Sequence, residues 1–269
     1  MRTRFLDSLT NAEVTAYLER NDLIFLPVGT VEMHGEMPLG CEHVLPLAFA
    51  QRLAEETDGL VLPHLVYFYP GATAIGKGTI SISPSAGAAY LKEVCGALLR
   101  QGFKRQVLLT AHGPAHTTLS QVTREFFEES RCPIMYLDLV KQFDLVEAKG
   151  KGEVDFNKMI WGAYHLLGRL DEIPTDQKPT QRAPFPEQVA KLNKARAEVG
   201  HFYSQETHHG WWPEKEMTEV DRLARAKEGV QQIDLVIENM DPKGLVQSLR
   251  DLDEYLHQEV WPQYGDRLP

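Results

Sequence analysis

Short apolar runs alternate along this chain with stretches of helical spacing, and no other feature constrains the fold as strongly. The run Leu23-Ile24-Phe25-Leu26-Pro27-Val28 is apolar throughout and bounded by polar residues, the signature of a strand buried on both faces. Before it, Thr10-Asn11-Ala12-Glu13 fits a capping box that opens a helix running to about Arg20. After it, helical spacing resumes near Val44 and stops near Thr57, ahead of Asp58-Gly59, and Leu60-Val61-Leu62 reads as a second strand. Glycines and prolines from Tyr69 to Ser85 mark a long loop with one short strand, Thr79-Ile80-Ser81-Ile82. A helix from about Ser85 to Gln101 ends at Gly102. Strand 106–110, a helix through Phe126 and strand 134–139 follow. The expected fold class is α/β: a single domain over residues 1–269, with a mostly parallel β-sheet flanked by helices on both faces. From about residue 150 the pattern is less regular. Lys149-Gly150-Lys151-Gly152-Glu153 reads as a turn, the polar stretch 174–186 as a lid or linker, and two amphipathic helices are expected over 216–239 and 245–258.

Charge and cysteine usage narrow the function classes. The 269 residues carry 28 Lys+Arg against 38 Asp+Glu, a formal charge of −10 with no basic cluster, which disfavours nucleic acid as a partner. No uncharged apolar run is long enough to span a bilayer, and the first residues, Met1-Arg2-Thr3-Arg4, contain no apolar signal core. Cys41, Cys95 and Cys132 stand singly and in odd number, as suits a reducing cytoplasm. Small-molecule chemistry in the cytoplasm is the expectation. No Gly-x-Ser-x-Gly elbow, phosphate-binding loop or dinucleotide fingerprint occurs where such chemistry would need it.

Three clusters carry candidate chemistry. Glu32-Met33-His34-Gly35 follows the first strand, Gly40-Cys41-Glu42-His43 opens the next helix, and Ala111-His112-Gly113-Pro114-Ala115-His116 follows strand 106–110. In a parallel sheet the carboxyl ends of the strands face the ligand crevice, so all three should gather on one edge. Carboxylate and imidazole donors together suit zinc, manganese or iron. Glu32 and His34 alternate around Met33 and so face the same way on an extended segment. His116 reads equally as a proton shuttle, a group supporting the ligands, or a helix-terminus residue. Cys41 reads first as a small buried side chain. His208-His209-Gly210-Trp211-Trp212-Pro213 is a conspicuous loop, either covering a substrate or packing at an interface.

The string Leu26-Pro27-Val28-Gly29-Thr30-Val31-Glu32-Met33-His34-Gly35 resembles the creatininase (creatinine amidohydrolase) family, whose segment reads L-P-x-G-S/T-x-E-Q-H-G followed by P-L-G-T-D. Pro38-Leu39-Gly40-Cys41-Glu42 stands in that second place. Gly78-Thr79-Ile80-Ser81-Ile82-Ser83 is similar to its G-T-I/T-S-L-S segment, and Gln101-Gly102-Phe103-Lys104-Arg105 with Leu108-Leu109-Thr110-Ala111-His112-Gly113 to its H-G-F-R-R and L-L-N-G-H-G segments. The likeness covers about residues 21–139. It implies a homo-oligomer, a hexamer by family habit, and two divalent metals per chain, zinc or manganese, with iron admissible. Carried over, Glu32 and His34 each bind one metal, Glu42 bridges and His112 completes one shell. The implied reaction is attack by metal-bound hydroxide on a carbonyl-type carbon of a small, polar, cyclic substrate, with cleavage of a C–N amide-type bond. Two alternatives stand beside it: C–C ring opening of an inositol-derived cyclic diketone of the 3-dehydro-scyllo-inosose type, and a non-catalytic binding or assembly role.

Departures from the family pattern matter as much. Glu42 replaces an Asp, and Thr110-Ala111-His112 replaces N-G-H. Pro114 occupies the position of a ligating Glu, which argues against creatinine as substrate; Glu172, Glu206 or His116 are the candidate replacements, unless one metal binds weakly. Trp161-x-x-x-His165 is similar to the family's substrate-covering Trp and proton-donating His, although the Glu-Thr-Ser that usually follows is absent. Trp161 is thus a candidate substrate contact or a core residue, and His165 a candidate for proton transfer together with His116.

Overall fold

Strands β1 (Leu23–Pro27), β2 (Leu60–Val61), β3 (Arg105–Thr110) and β4 (Ile134–Asp138) pair in parallel, in the order β2-β1-β3-β4. The coordinates are a computed structural model that describes residues 1–195, 200, 205–213 and 215–267. Around the sheet lie α1 (Asn11–Leu18), α2 (Cys41–Thr57), α3 (Pro84–Arg100), α4 (His116–Ser130), α5 (Leu139–Ala148), α6 (Phe156–Leu166), α7 (Glu187–Lys194), α8 (Glu219–Met240) and α9 (Pro242–Tyr255).

Strand periodicity divides the interior in two. Leu23 and Phe25 of β1, with Val107 and Leu109 of β3, face a core supplied by α2, α5, α6, α8 and α9. Ile24, Leu26 and Leu108 face a second core supplied by α1, α3 and α4. Strand β1 is apolar and buried throughout because both of its faces are covered. In the first core α6 and α8 cross so closely that a Cβ at Gly229 would lie 1.9 Å from the Lys158 carbonyl oxygen, and one at Gly162 2.4 Å from the Gly229 carbonyl carbon. Only glycine at both positions allows that approach.

Several expectations need correction. Residues 79–82 form no strand: the Ile80 N–H bonds to the Val31 carbonyl at 2.9 Å and Thr79 Oγ1 accepts from the Met33 N–H at 2.9 Å, so the segment buttresses the 31–33 loop. Helix α2 begins at Cys41, three residues earlier than its apolar spacing indicates, which places Glu42 in its first turn. Helices α5 and α7 were not anticipated; the Asp138 side chain, accepting from the Lys141 N–H, caps α5 with no break after β4. The α1 capping box is present as read, with Thr10 and Glu13 bonded reciprocally. Among the described residues no helix is long and apolar enough to cross a membrane.

Candidate metal centre

Strand β1 has β2 on one side and β3 on the other, so the connections leaving its carboxyl end and that of β3 diverge and open a crevice between them. The chain leaving β1 covers this crevice. The Val28 N–H bonds to the Leu109 carbonyl at 2.8 Å and the Gly29 N–H to the Leu65 carbonyl at 2.9 Å, after which residues 30–40 carry Glu32 and His34 over the edge. Glu42 enters from the first turn of α2 and His112 from just beyond β3. The three sequence clusters do meet on one edge.

All four side chains are buried, none more than 5% exposed. His34 Nδ1 lies 3.2 Å from Glu42 Oε1, and His112 Nε2 lies 3.1 Å from Glu32 Oε2. Yet Glu32 Oε2, Glu42 Oε2, His34 Nδ1 and His112 Nδ1 have no aligned hydrogen-bond partner. Each unmet buried polar atom costs about 1–3 kcal/mol. One or two divalent cations among these oxygens and nitrogens would satisfy the inward-facing donors together, and the donor set suits zinc, manganese or iron. The residues therefore fit the metals that the sequence implies.

A fifth donor comes from the second half of the chain. Ligand atoms of Glu32, His34 and His209 lie within 4.8 Å of one another, and the His209 ring stands edge-on to His34 at 5.1 Å between centroids. Backbone contact holds it there. The Trp211 N–H bonds to the His34 carbonyl at 3.2 Å and the Glu36 N–H to the Trp211 carbonyl at 2.9 Å. Gly35 and Gly210, both at positive φ, face each other across this contact, and a Cβ on Gly210 would come within 2.2 Å of Gly35 N. Behind the loop, the stretch 174–186 acts as a strap: Gln177 Nε2 donates to the Glu36 carbonyl at 2.6 Å, the Thr180 N–H to Pro213 at 2.9 Å, and Arg182 Nε to His208 at 3.2 Å.

Electrostatics agree with a cation site. Burial, then the neighbouring His209 and His112, hold the His34 imidazole down to about 3, and burial takes His209 down to about 4. Both rings are neutral near pH 7, as ligating imidazoles must be. Burial and the charge of Glu32 push the Glu42 carboxyl up. At His112 burial opposes protonation, but the contact with Glu32 and the charge of Glu42 more than offset it, so its value is raised. Two carboxylates crowded in a dry pocket need a positive partner.

The donors line a cavity of about 760 Å³, with Tyr69, Pro114 and His116 also in its wall. His116 Nδ1 is 2.9 Å from the Gly113 carbonyl oxygen. Two expected residues are elsewhere. Trp161 is fully buried in the first core, edge-on to Trp211 at 5.5 Å with the Arg222 guanidinium 5.3 Å from its ring, and does not line the cavity. His165 is exposed in the last turn of α6, where the helix has left the core, and is also absent from the cavity wall. Of the proposed replacements for the carboxylate missing at Pro114, Glu172 pairs with Arg169 at 2.6 Å on the surface and Glu206 is exposed. Only His116 among them reaches the cavity. Cys41 is fully buried and outside its wall.

A parallel α/β sheet with buried carboxylates and imidazoles at its carboxyl edge defines a class of metal-site proteins. Within that class, the chain belongs to the creatininase family: the family model, described as creatinine amidohydrolase, matches residues 7–218. It is 32% identical over 111 residues to 3-dehydro-scyllo-inosose hydrolase of Thermotoga maritima, covering 40% of this chain and 36% of that protein. It is likewise 32% identical over 115 residues to creatinine amidohydrolase of Pseudomonas putida, covering 40% of this chain and 44% of that protein. The matched stretches thus span less than half of these curated relatives. Among solved structures, a manganese creatininase superimposes with TM-score 0.57 at 21% identity, and a zinc–zinc form of a creatininase mutant with TM-score 0.57 at 20% identity. Both cover 90% of this chain and 100% of the other, a likeness that establishes the fold.

Proposed function

We propose that this protein is a metal-dependent hydrolase of a small polar substrate, cutting a C–N amide-type bond at a carbonyl-type carbon. The observation that carries the reading is the convergence of Glu32, His34, Glu42, His112 and His209 on one cavity, with buried polar atoms of the first four left unmet. Glu32, His34 and His209 would hold one cation, Glu42 and His112 a second, and Glu42, with its longer arm, would reach between them. A divalent metal supplies a Lewis acid for the carbonyl oxygen and lowers the pKa of water to near neutrality. The chain's own residues do the rest. Glu42 of α2 and His209 and Gly210 of the 205–213 loop form part of the cavity wall, and His116, in the same wall with Nδ1 turned to the Gly113 carbonyl, is assigned to carry a proton at Nε2. Pro114 offers no carboxylate, which supports a substrate other than creatinine. Assembly as a homo-oligomer in the cytoplasm belongs to the same reading.

C–C ring opening of a cyclic diketone is the second reading, favoured by the match to 3-dehydro-scyllo-inosose hydrolase. It uses the same activation of a carbonyl with carbon as the leaving atom. Metal content per chain after loading with Zn²⁺ or Mn²⁺ tests the common core, with at least one equivalent expected. Less than one equivalent would overturn both readings and leave a non-catalytic role. Hydrolysis screens of cyclic amides, formamides and cyclic diketones then separate the two.

A further inference from the structure

Beside the metal cavity lies a larger cleft of about 1060 Å³, and the two share Asn157, Arg182 and Gly210 in their walls. Trp211 and Trp212 line the cleft, and Arg225 of α8 stands over the Trp211 ring at 5.3 Å. One turn earlier on α8, both terminal nitrogens of Arg222 are engaged, donating to the Pro174 and Ile173 carbonyls at 2.6 and 2.7 Å, and its Nε lies 3.4 Å from Glu219 Oε2. Arg225 is not so engaged. It is partly buried, its Nε is shut off from water without a partner, and among the described residues it makes no hydrogen bond or ion pair.

The acids of the cleft are already committed elsewhere. Asp155 caps α6 by accepting from the Lys158 N–H at 3.1 Å, Glu228 pairs with Lys158 Nζ at 2.8 Å, and Asp221 closes a capping box with Thr218. Burial outweighs the distant charges of Asp155 and Glu228 and draws the Arg225 guanidinium below its ordinary value. Stacking on an indole compensates by about 1–2 kcal/mol, but it satisfies none of the five N–H donors. A partly buried fork of donors in a cavity wall matches a planar carboxylate, which accepts two parallel bonds. With three acids in the same wall, a singly charged group suits the cleft better than a phosphate dianion.

We infer that the cleft is a carboxylate-binding subsite: Arg225, with Arg182 in the shared wall, grips the carboxylate of a substrate whose scissile group reaches the metal cavity. The substrate class is then a small amide bearing a carboxylate. The link to the scissile group rests on the hydrolase reading; the carboxylate site does not.

Succinamate, with one carboxylate and one amide, is the probe, and succinamide its neutral counterpart. The full chain, as purified and after chelation, is titrated with each while intrinsic fluorescence of its four tryptophans, two of which line the cleft, is followed. Succinamate should bind saturably to both forms and succinamide at least tenfold more weakly. Arg225→Met should weaken succinamate by about 10- to 100-fold, the worth of a charge-assisted bond, and Arg225→Lys by less. Circular dichroism of each variant establishes folding, and the succinamate–succinamide comparison needs no variant. Equal binding of the two probes, wild-type affinity in folded Arg225→Met, or tighter binding of inorganic phosphate than of succinamate would overturn the assignment. Binding retained by the chelated protein separates this site from the metal reading, since that reading can fail while the carboxylate site stands.

Discussion

Replacing Gly210 with alanine tests how the second half of the chain completes the metal centre. Gly210 has φ +90°, and a Cβ there would lie 2.2 Å from Gly35 N and from the His34 carbonyl carbon, and 2.7 Å from the His34 carbonyl oxygen. All three are backbone atoms with no rotamer to give. Since ordinary Cβ contacts begin near 3.4 Å, the loop must retreat by about 1 Å. That retreat breaks the paired bonds between Trp211 and residues 34 and 36, worth about 1 kcal/mol each. Left-handed backbone on alanine adds about 1–2 kcal/mol, for a total near 3–4 kcal/mol. Gly168→Ala is the control: it has φ +68° but nothing within 4 Å of its Cβ, so it bears the conformational part alone. Ligand distances tolerate only about ±0.2 Å, so a displaced His209 no longer binds. Zinc affinity, measured against a competing chromogenic chelator, should fall by about 100-fold or more, since changes merely outside the ligand shell already cost about 10- to 100-fold. Chemical denaturation of the metal-free protein supplies the stability change. Wild-type zinc affinity in Gly210→Ala would refute the idea that the Gly35–Gly210 contact delivers a ligand, and unchanged stability would show that the contact is not tight.

Three further outcomes are expected. Gly229→Ala gains about 1 kcal/mol of helix propensity but forces α6 and α8 apart, and should lose about 1–2 kcal/mol net by denaturant melts. Trp161→Phe should lower stability by about 1–2 kcal/mol while leaving KM within twofold; a larger rise in KM would restore Trp161 as a substrate contact. The Glu13 carboxyl is held down to about 2, first by the Thr10 N–H and then by Arg2. A depressed carboxyl adds stability that is present above its ordinary value of 4.5 and is lost as pH falls towards 2, so Glu13→Gln should flatten the acid limb of the stability–pH curve over that window.

Much of this was legible in the chain before any coordinates. The four strands and the helices between them follow from apolar runs and caps, because those signals are local. Glu32, His34, Glu42 and His112 could be gathered because parallel strands deliver their carboxyl ends to one edge. What failed needed tertiary information. Ile80 and Ile82 look like a strand until Val31 claims the one hydrogen bond that matters. Trp161 and His165 share helical spacing, yet α6 ends at Leu166, so one is sealed in the core while the other emerges into solvent. His209 stood in a conspicuous string, but its role depends on a glycine pair brought together from opposite ends of the chain. No local pattern encodes that meeting.

The same meeting sets an order of events in biosynthesis. The four strands all lie within residues 23–138, whereas the Trp211-to-His34 bond forms only after most of the chain has been made. Such a distant closure comes late in folding, since the loop between its ends must be ordered first. A nascent or clipped chain ending before residue 205 would display Glu32, His34, Glu42 and His112 as an open cation trap with poor discrimination among metals. On the metal reading proposed above, selectivity among cations would be a property of the finished chain, timed by the arrival of the loop that bears His209.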